Sequence, residues 1–184
     1  KFYLPSNFDF RGRVYPIPNF SPHRDDHIKS LFLLANVRPI THKGAYWLKI
    51  HLANVGDFEK VSKRSFDDRV QWVEDNHDTL MTIASDWKAN IDLWSGADKP
   101  FQFLAAVLEY ARYIETGPGY MCGLPTALDG TNSGVQHFSA LGLNVADAEL
   151  VNLVPGPKPM DIYQRVADQV IKNIKSEGES EEAN

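Results

Sequence analysis

Residues 128–140 read LDGTNSGVQHFSA, and this stretch decides how the second half of the chain folds. The apolar run from Leu124 to Leu128 predicts a strand, and the residues from about Ser133 to Leu141 predict a helix. Asp129 then lies where the strand ends, with its carboxylate free to meet a cation. Asp-Gly is also a common turn pair, so the dipeptide alone indicates only a turn.

The composition is that of a globular chain with one sizeable core. Of the 184 residues, 43% are apolar and 23% are charged, and no apolar run approaches membrane-spanning length.

The net charge of −5 by itself argues against a nucleic-acid surface. The charge is unevenly distributed, however. Residues 1–64 carry 11 basic and 5 acidic side chains, whereas residues 65–184 carry 8 basic and 19 acidic side chains. The basic first third is suited to binding phosphates, and the alternative is ordinary scatter of charge along a globular surface. The single cysteine, Cys122, excludes an internal disulfide.

Hydrophobic spacing and cap residues predict a mainly helical α+β fold. Alternating aromatic residues and prolines in Phe2–Asn19 predict a short hairpin or edge strands. The predicted helices are, in chain order, Asp25–Val37, one capped by Thr41 and ending near Gly56, one beginning at Ser65, Leu80–Trp94, one from Asp98 and Pro100 to Gly117, about Ser133–Leu141, and one opened by Asp161. The few strands do not complete a sheet, which is typical of a slice of a larger domain.

The two ends of the chain support this interpretation. Lys1 is not an initiator methionine, so we expect the chain to begin inside a longer protein. Residues 176–184 hold four glutamates and no apolar side chain larger than that of Ala183, so we expect this end to fray.

A second motif lies near the start of the chain, where residues 9–15 read DFRGRVY. Together with residues 128–140, it resembles the catalytic palm of the single-subunit, phage-type RNA polymerases, a family that also serves mitochondria. The resemblance runs over nearly the whole chain. It implies a partial right-hand polymerase palm with a helical palm insertion and the start of the fingers. The implied segments are 1–40 for the first part of the palm, 41–118 for the insertion, 119–150 for the palm segment with the catalytic aspartate, and 151–184 for the start of the fingers with its frayed end.

The resemblance assigns a magnesium site to Asp129 and Gly130. Asp129 is implied to be the catalytic carboxylate that bridges two Mg²⁺ ions, and the Gly130 carbonyl a second contact, which suits an ion that takes few protein ligands. Gly134 stands where DNA polymerases with a similar palm have a glutamate that blocks a ribose 2′-hydroxyl, so glycine favours ribonucleotides. Gly134 also permits tight packing of the predicted strand on the helix, and the two interpretations are compatible.

Four further side chains are implied to bind nucleic acid or substrate. Arg13 is implied to lie beside the template and the growing RNA end, with Arg11 on the same strand as a second guanidinium for phosphates. Lys60 matches a family lysine that reaches the incoming triphosphate. Tyr163 matches a family tyrosine close to the substrate pocket. Without the resemblance, the arginines and Lys60 would be solvated surface and Tyr163 a buried helix aromatic.

Two histidine patterns imitate metal sites. His77-Asp78-Thr79 is similar to the family's His-Asp-Ser motif, which carries the second metal aspartate, but it precedes Asp129 and lies in a helical segment, whereas the family's motif follows in a hairpin. His23 and His27 share a predicted helix face with Asp26 nearby, but a zinc site needs a third convincing ligand. We therefore assign no metal to either pattern.

The resemblance implies a fragment of a DNA-directed RNA polymerase, with template-dependent nucleotidyl transfer from ribonucleoside triphosphates by a two-Mg²⁺ mechanism. The expected partners are a DNA template, an RNA product, ribonucleoside triphosphates and the remainder of the polymerase chain, with no membrane. The family's second aspartate motif is not in this chain, so we expect the fragment alone to be inactive. The alternatives are a DNA polymerase palm and a non-catalytic nucleic-acid-binding or scaffolding fragment. The expected location is the cytoplasm of a phage-infected bacterial cell, with an organelle matrix as the alternative.

Overall fold

The computed structural model describes residues 3–127, 132–156 and 159–182, with residues 176–182 described by their backbone only. The chain divides into two units, Lys1–Ala127 and Leu128–Asn184. The first unit contains, in chain order, β1 (Ser6–Phe8), β2 (Val14–Pro16), α1 (Asp26–Lys29), β3 (Arg38–Pro39), α2 (His42–Gly56), a 3₁₀ helix (Phe58–Lys63), α3 (Phe66–Asp75), α4 (His77–Ser85), α5 (Ile91–Trp94), α6 (Pro100–Thr116) and β4 (Met121–Cys122). The second unit contains α7 (Ser133–Leu141), α8 (Val145–Leu150) and α9 (Ile162–Glu182). The described chain is mainly helical with two small two-stranded sheets, which confirms the α+β class.

Helices α2, α4 and α6 surround the core of the first unit, and α3 packs on α2. The most deeply buried apolar side chains, each at most 1% exposed, are those of Leu52, Ala53, Val61, Val73, Leu80, Ile83, Phe103, Ala106 and Val107. Helices α2 and α6 approach closely at Gly56, where an added Cβ would stand 2.9 Å from Phe103 Cε2. A larger residue would have to displace a buried ring, so glycine is required by packing at this helix end.

The ends of these helices follow the capping signals of the sequence. The Thr41 hydroxyl accepts a hydrogen bond from the backbone N–H of Gly44 (3.2 Å), and Ser65 forms a reciprocal capping box with Asp68 at the start of α3. Helix α6 begins at Pro100 and ends before Gly117, which has φ 81°. Because caps satisfy backbone groups that the helix itself leaves unpaired, these boundaries were predictable, and the predictions are confirmed.

The aromatic start of the chain forms the predicted hairpin. Strands β1 and β2 pair antiparallel, with Ser6 opposite Pro16 and Phe8 opposite Val14. All residues of β1 are exposed, so this hairpin contributes little to the core.

The helix predicted over Asp25–Val37 is wrong beyond its first turn. Helix α1 ends at Lys29, and the chain that follows pairs with a distant segment instead. The Leu34 N–H donates to the Gly123 carbonyl (2.7 Å), and the Ile40 N–H donates to the Tyr120 carbonyl (2.8 Å). Strand β3 lies between these bonds and pairs with β4. These long-range hydrogen bonds use backbone groups that a helix would have used, and local apolar spacing does not reveal them.

Two other sequence predictions are also corrected. The strand predicted over Leu124–Leu128 is absent in the described residues up to 127, because the pairing occurs earlier, in β4. Pro125 has no backbone N–H for a ladder. The helix predicted over Leu80–Trp94 is interrupted after Ser85, where the Asp86 carboxylate accepts hydrogen bonds from the N–H groups of Lys88 (3.1 Å) and Ala89 (3.0 Å). Such a local bond competes with helix continuation.

The second unit places the predicted helices α7 and α9 as expected. A hydrogen bond joins helix α7 to the end of α8: Gln136 Nε2 donates to the carbonyl of Val151 (2.7 Å). Val151 is fully buried. The Asp161 carboxylate accepts from the Tyr163 N–H (3.0 Å) at the start of α9. The backbone of α9 is helical to Glu182, across the segment that was expected to fray. Among the described residues, no helix has the length and apolar character needed to cross a membrane.

Candidate nucleic-acid, substrate and metal sites

The Asp9 carboxylate organises the turn that joins β1 to β2. Its Oδ1 accepts hydrogen bonds from the N–H groups of Arg11 (2.8 Å) and Arg13 (2.9 Å), and Gly12 has φ 74°. The Arg13 N–H, together with donors of Arg11, holds the pKa of the Asp9 carboxyl below its usual value. Arg11 and Arg13 therefore lie in the turn between the strands, and the expectation that they share a strand is wrong.

The two arginines of this turn differ in their partners. The Arg11 guanidinium forms an ion pair with Asp9 Oδ2 (3.0 Å) and lies over the Phe10 ring, 5.4 Å from its centroid. Within the described part of the chain, the exposed guanidinium of Arg13 has no ion pair. The turn thus presents one tethered cation and one open to solvent, a geometry suited to phosphates.

Lys60 lies in the 3₁₀ segment after α2, in the first unit. Its Nζ is 3.4 Å from Asp57 Oδ2. The Lys60 side chain is 76% exposed, and that of Asp57 is 10% exposed. Burial raises the pKa of Asp57, but hydrogen bonds from Ser62 and the charge of Lys60 more than offset this, so its pKa lies below the ordinary value. Sequence reasoning missed Asp57 as a partner of Lys60, although an acidic residue three positions before a lysine was the available signal.

The second unit carries Gly134 and Tyr163. No described atom would lie within 4 Å of a Cβ added at Gly134, so the described residues give no support to its interpretation as a tight-packing glycine. Tyr163 stands in the first turn of α9 with 75% of its surface exposed. The alternative that Tyr163 is a buried helix aromatic is therefore wrong.

Asp129 and Gly130, the predicted magnesium ligands, lie outside the described residues. Their assignment stays a prediction. Among the described residues, no group of three or more histidine, cysteine, aspartate or glutamate side chains is arranged to hold a metal ion.

The two rejected histidine patterns have other partners. His77 Nδ1 lies 3.1 Å from the Tyr110 hydroxyl, at the start of α4. Asp26 caps α6 from 75 residues away, since its carboxylate accepts from the N–H of Phe101 (2.7 Å) and from both the N–H (3.2 Å) and Nε2 (2.9 Å) of Gln102. His77 and Asp26 therefore form hydrogen bonds within the fold, which is a structural role.

A family model described as DNA-dependent RNA polymerase matches residues 38–184, a range that includes Lys60, Asp129 and Tyr163. The chain belongs to this family. Among its relatives are the DNA-directed RNA polymerase of Enterobacteria phage T3 and T7 RNA polymerase of Escherichia phage T7, each 41% identical over 175 residues. These matches cover 95% of the chain and 19% of each relative. A mitochondrial DNA-directed RNA polymerase of Neurospora crassa is 40% identical over 179 residues, covering 96% of the chain and 12% of the relative.

The chain is thus a member of the phage-type, single-subunit RNA polymerase family. It spans less than a fifth of the length of these relatives. The relatives' names confirm the family that residues 9–15 and 128–140 resemble.

Proposed function

We propose that the chain is a palm segment of a single-subunit, DNA-directed RNA polymerase that transfers ribonucleotides onto RNA on a DNA template. The observation that carries this proposal is the 41% identity with two phage RNA polymerases over 175 residues, a similarity that runs almost from end to end. Residues 1–40, 41–118, 119–150 and 151–184 would then be the first palm segment, the helical insertion, the catalytic palm segment and the start of the fingers. The chain alone would lack template-dependent activity, and the remainder of the polymerase would be its partner.

Asp129 and the Gly130 carbonyl are the proposed ligands for magnesium. An oxygen-only donor set of one carboxylate and one carbonyl fits Mg²⁺, which retains several waters and takes few protein ligands. When held by these residues, Mg²⁺ would supply activation of the attacking 3′-hydroxyl and neutralisation of charge on the leaving phosphate oxygens.

The turn between β1 and β2 is the proposed contact with template and RNA. Asp9 fixes the backbone of both arginines, so the turn is already ordered before a phosphate arrives. Ordering a binding loop in advance lowers the entropy lost on association. Arg13, whose guanidinium forms no ion pair within the described residues, would take the phosphate contact, and Arg11 would support it.

Lys60, Gly134 and Tyr163 are the proposed substrate residues. The exposed Lys60 ammonium would bind the triphosphate, the absent side chain at Gly134 would leave room for a ribose 2′-hydroxyl, and Tyr163 would line the nucleotide pocket. The location follows the branch of the family to which the parent belongs, which is either an infected bacterial cell or an organelle.

The proposal is tested by Asp129→Asn in the complete polymerase that contains this chain. Extension of an RNA primer on a preassembled DNA template should slow by at least about 10²–10³-fold, the usual loss when one group that stabilises transition-state charge is removed. Affinity for the primer–template should remain, because the lost charge holds metal rather than DNA. Asp92→Asn, at an exposed position of α5, is the matched control. An Asp129→Asn enzyme with near wild-type turnover would remove Asp129 from the mechanism.

A further inference from the structure

The loop that carries Lys60 holds three non-glycine residues in left-handed backbone conformations. Asp57 has φ 45°, Glu59 has φ 51° and Lys60 has φ 58°. Such a conformation is sterically unfavourable for a residue with a side chain, and it persists only where the surroundings determine it. Something in the loop must therefore stabilise this path of the chain.

Two apolar side chains anchor the loop to the core from within. Phe58 stacks on Trp72 with ring centroids 5.9 Å apart, and Val61 is fully buried. Lys60 lies between these anchors, and its side chain is 76% exposed. With Phe58 and Val61 both turned inward, the backbone between them directs Lys60 outward.

The Asp57 carboxylate closes the same loop by hydrogen bonding. Its Oδ1 accepts a hydrogen bond from the Ser62 N–H (2.9 Å), five residues further along the chain, and its Oδ2 lies 3.4 Å from Lys60 Nζ. The carboxylate therefore bridges the start and the end of the segment that presents the lysine. An ammonium has three N–H donors, so this contact leaves donors of Lys60 for another anion.

We propose that Asp57 is a positioning residue for Lys60, holding the loop in the conformation that presents the ammonium to the triphosphate of the incoming nucleotide. The inference rests on the proposed role of Lys60 in binding that triphosphate. Asp57 acts mainly through the loop backbone, because an ion pair with a partner as exposed as Lys60 contributes little. Only 10% of the Asp57 side chain is exposed, which suits a residue that acts by holding the loop.

Two substitutions separate the hydrogen bond from the charge. Asp57→Gly removes the acceptor for the Ser62 N–H, while glycine adopts a positive φ without strain. Asp57→Asn removes the charge but keeps an Oδ1 acceptor, and asparagine tolerates the left-handed conformation. Glu59→Gln is the matched control, because Glu59 shares the loop and the left-handed backbone, but its carboxylate pairs with Arg64 (3.3 Å) rather than with Lys60.

The experiment measures KM for ribonucleoside triphosphates in the complete polymerase containing this chain, with each variant made in both the Lys60 and the Lys60→Ala background. We expect Asp57→Gly to raise KM about tenfold, as expected for loss of one hydrogen bond to a charged group. Asp57→Asn and Glu59→Gln should stay within about twofold of wild type. In the Lys60→Ala background, Asp57→Gly should add less than about a twofold effect, because the two residues act as a unit.

Three results would overturn the inference. Equal effects of Asp57→Gly in both backgrounds would mean that Asp57 acts independently of Lys60. A lower KM for Asp57→Gly would mean that Asp57 only repels the triphosphate. An unchanged KM for Lys60→Ala alone would remove the proposed triphosphate role of Lys60 together with this inference, whereas the first two results leave that role intact.

Discussion

Buried His51 should make the stability of the first unit depend on pH. It lies on α2 with 9% of its surface exposed. Burial, with a smaller contribution from the charge of Lys99, lowers the pKa of its imidazole from 6.5 to about 4. The unfolded chain therefore binds a proton on His51 at a pH where the native state does not. Stability from the neutral ring is fully present above pH 6.5 and is lost as the pH falls from about 6.5 to about 4.

The magnitude follows from the shift of the pKa. Each unit corresponds to about 1.36 kcal/mol, so the full loss at pH 4 and below is about 3 kcal/mol. Between pH 7 and pH 5, linkage gives a loss of about 2 kcal/mol from this one group. That is a large fraction of the 5–15 kcal/mol, roughly, by which domains are stable.

Urea unfolding followed by tryptophan fluorescence is a suitable assay, because all four tryptophans lie in the first unit: Trp47, Trp72, Trp87 and Trp94. His51→Gln cannot take the proton, and every other titrating group is shared with the wild type. Between pH 7 and pH 5, the free energy of unfolding of the wild type should fall by about 2 kcal/mol more than that of this variant. For a denaturant slope of about 2 kcal/mol/M, the urea midpoint of the wild type should fall by about 1 M more. His42→Gln, at the exposed start of the same helix, should behave as wild type. Equal pH dependence of wild type and His51→Gln would refute the reasoning.

Two further predictions concern the proposed functional residues in the complete polymerase. Arg13→Ala should weaken binding of primer–template for every template sequence, since a phosphate contact carries little base information. It should also reduce the slope of log K against log salt by about 1, as measured by fluorescence anisotropy. A defect confined to particular sequences, or one shared by the control Arg24→Ala, would contradict this prediction. Gly134→Glu should shift the ratio of kcat/KM for ribonucleotides and deoxyribonucleotides by about tenfold or more toward deoxyribonucleotides. If both rates fall and the ratio stays unchanged, Gly134 does not select the sugar.

The starts of three helices were predictable from the local chemistry of their first residues. Helix α2 begins at Thr41, α3 at Ser65 and α6 at Pro100, because each helix start needs a partner for its free N–H groups or a residue that lacks one. By contrast, the segment before Ile40 looks helical by apolar spacing, yet it pairs with residues more than 80 positions away. Single-sequence periodicity contains no information on such long-range pairing.

The same distinction applies to the candidate site. Asp129 and Arg13 were identified through the resemblance of two short motifs to a polymerase family, and Lys60 through its match to a lysine of the same family. The supporting groups were not, because their roles depend on the folded backbone. Asp57 meets Lys60 only in a left-handed turn, and Asp26 reaches α6 only after α1 packs against it.

Ligation of metal by Asp129 is the central claim, and a change of ligand chemistry tests it most directly. Asp129→Cys replaces a hard oxygen donor with a thiolate, which binds Mg²⁺ poorly and softer divalent ions better. In the complete polymerase with Mg²⁺, primer extension by Asp129→Cys should fall at least about 100-fold. Replacing Mg²⁺ with Mn²⁺ or Cd²⁺ should restore extension in this variant by at least about tenfold more than in Asp129→Ala, which offers no ligand. Full activity of Asp129→Cys with Mg²⁺, or equal restoration of the two variants, would contradict the assignment of Asp129 as the metal ligand.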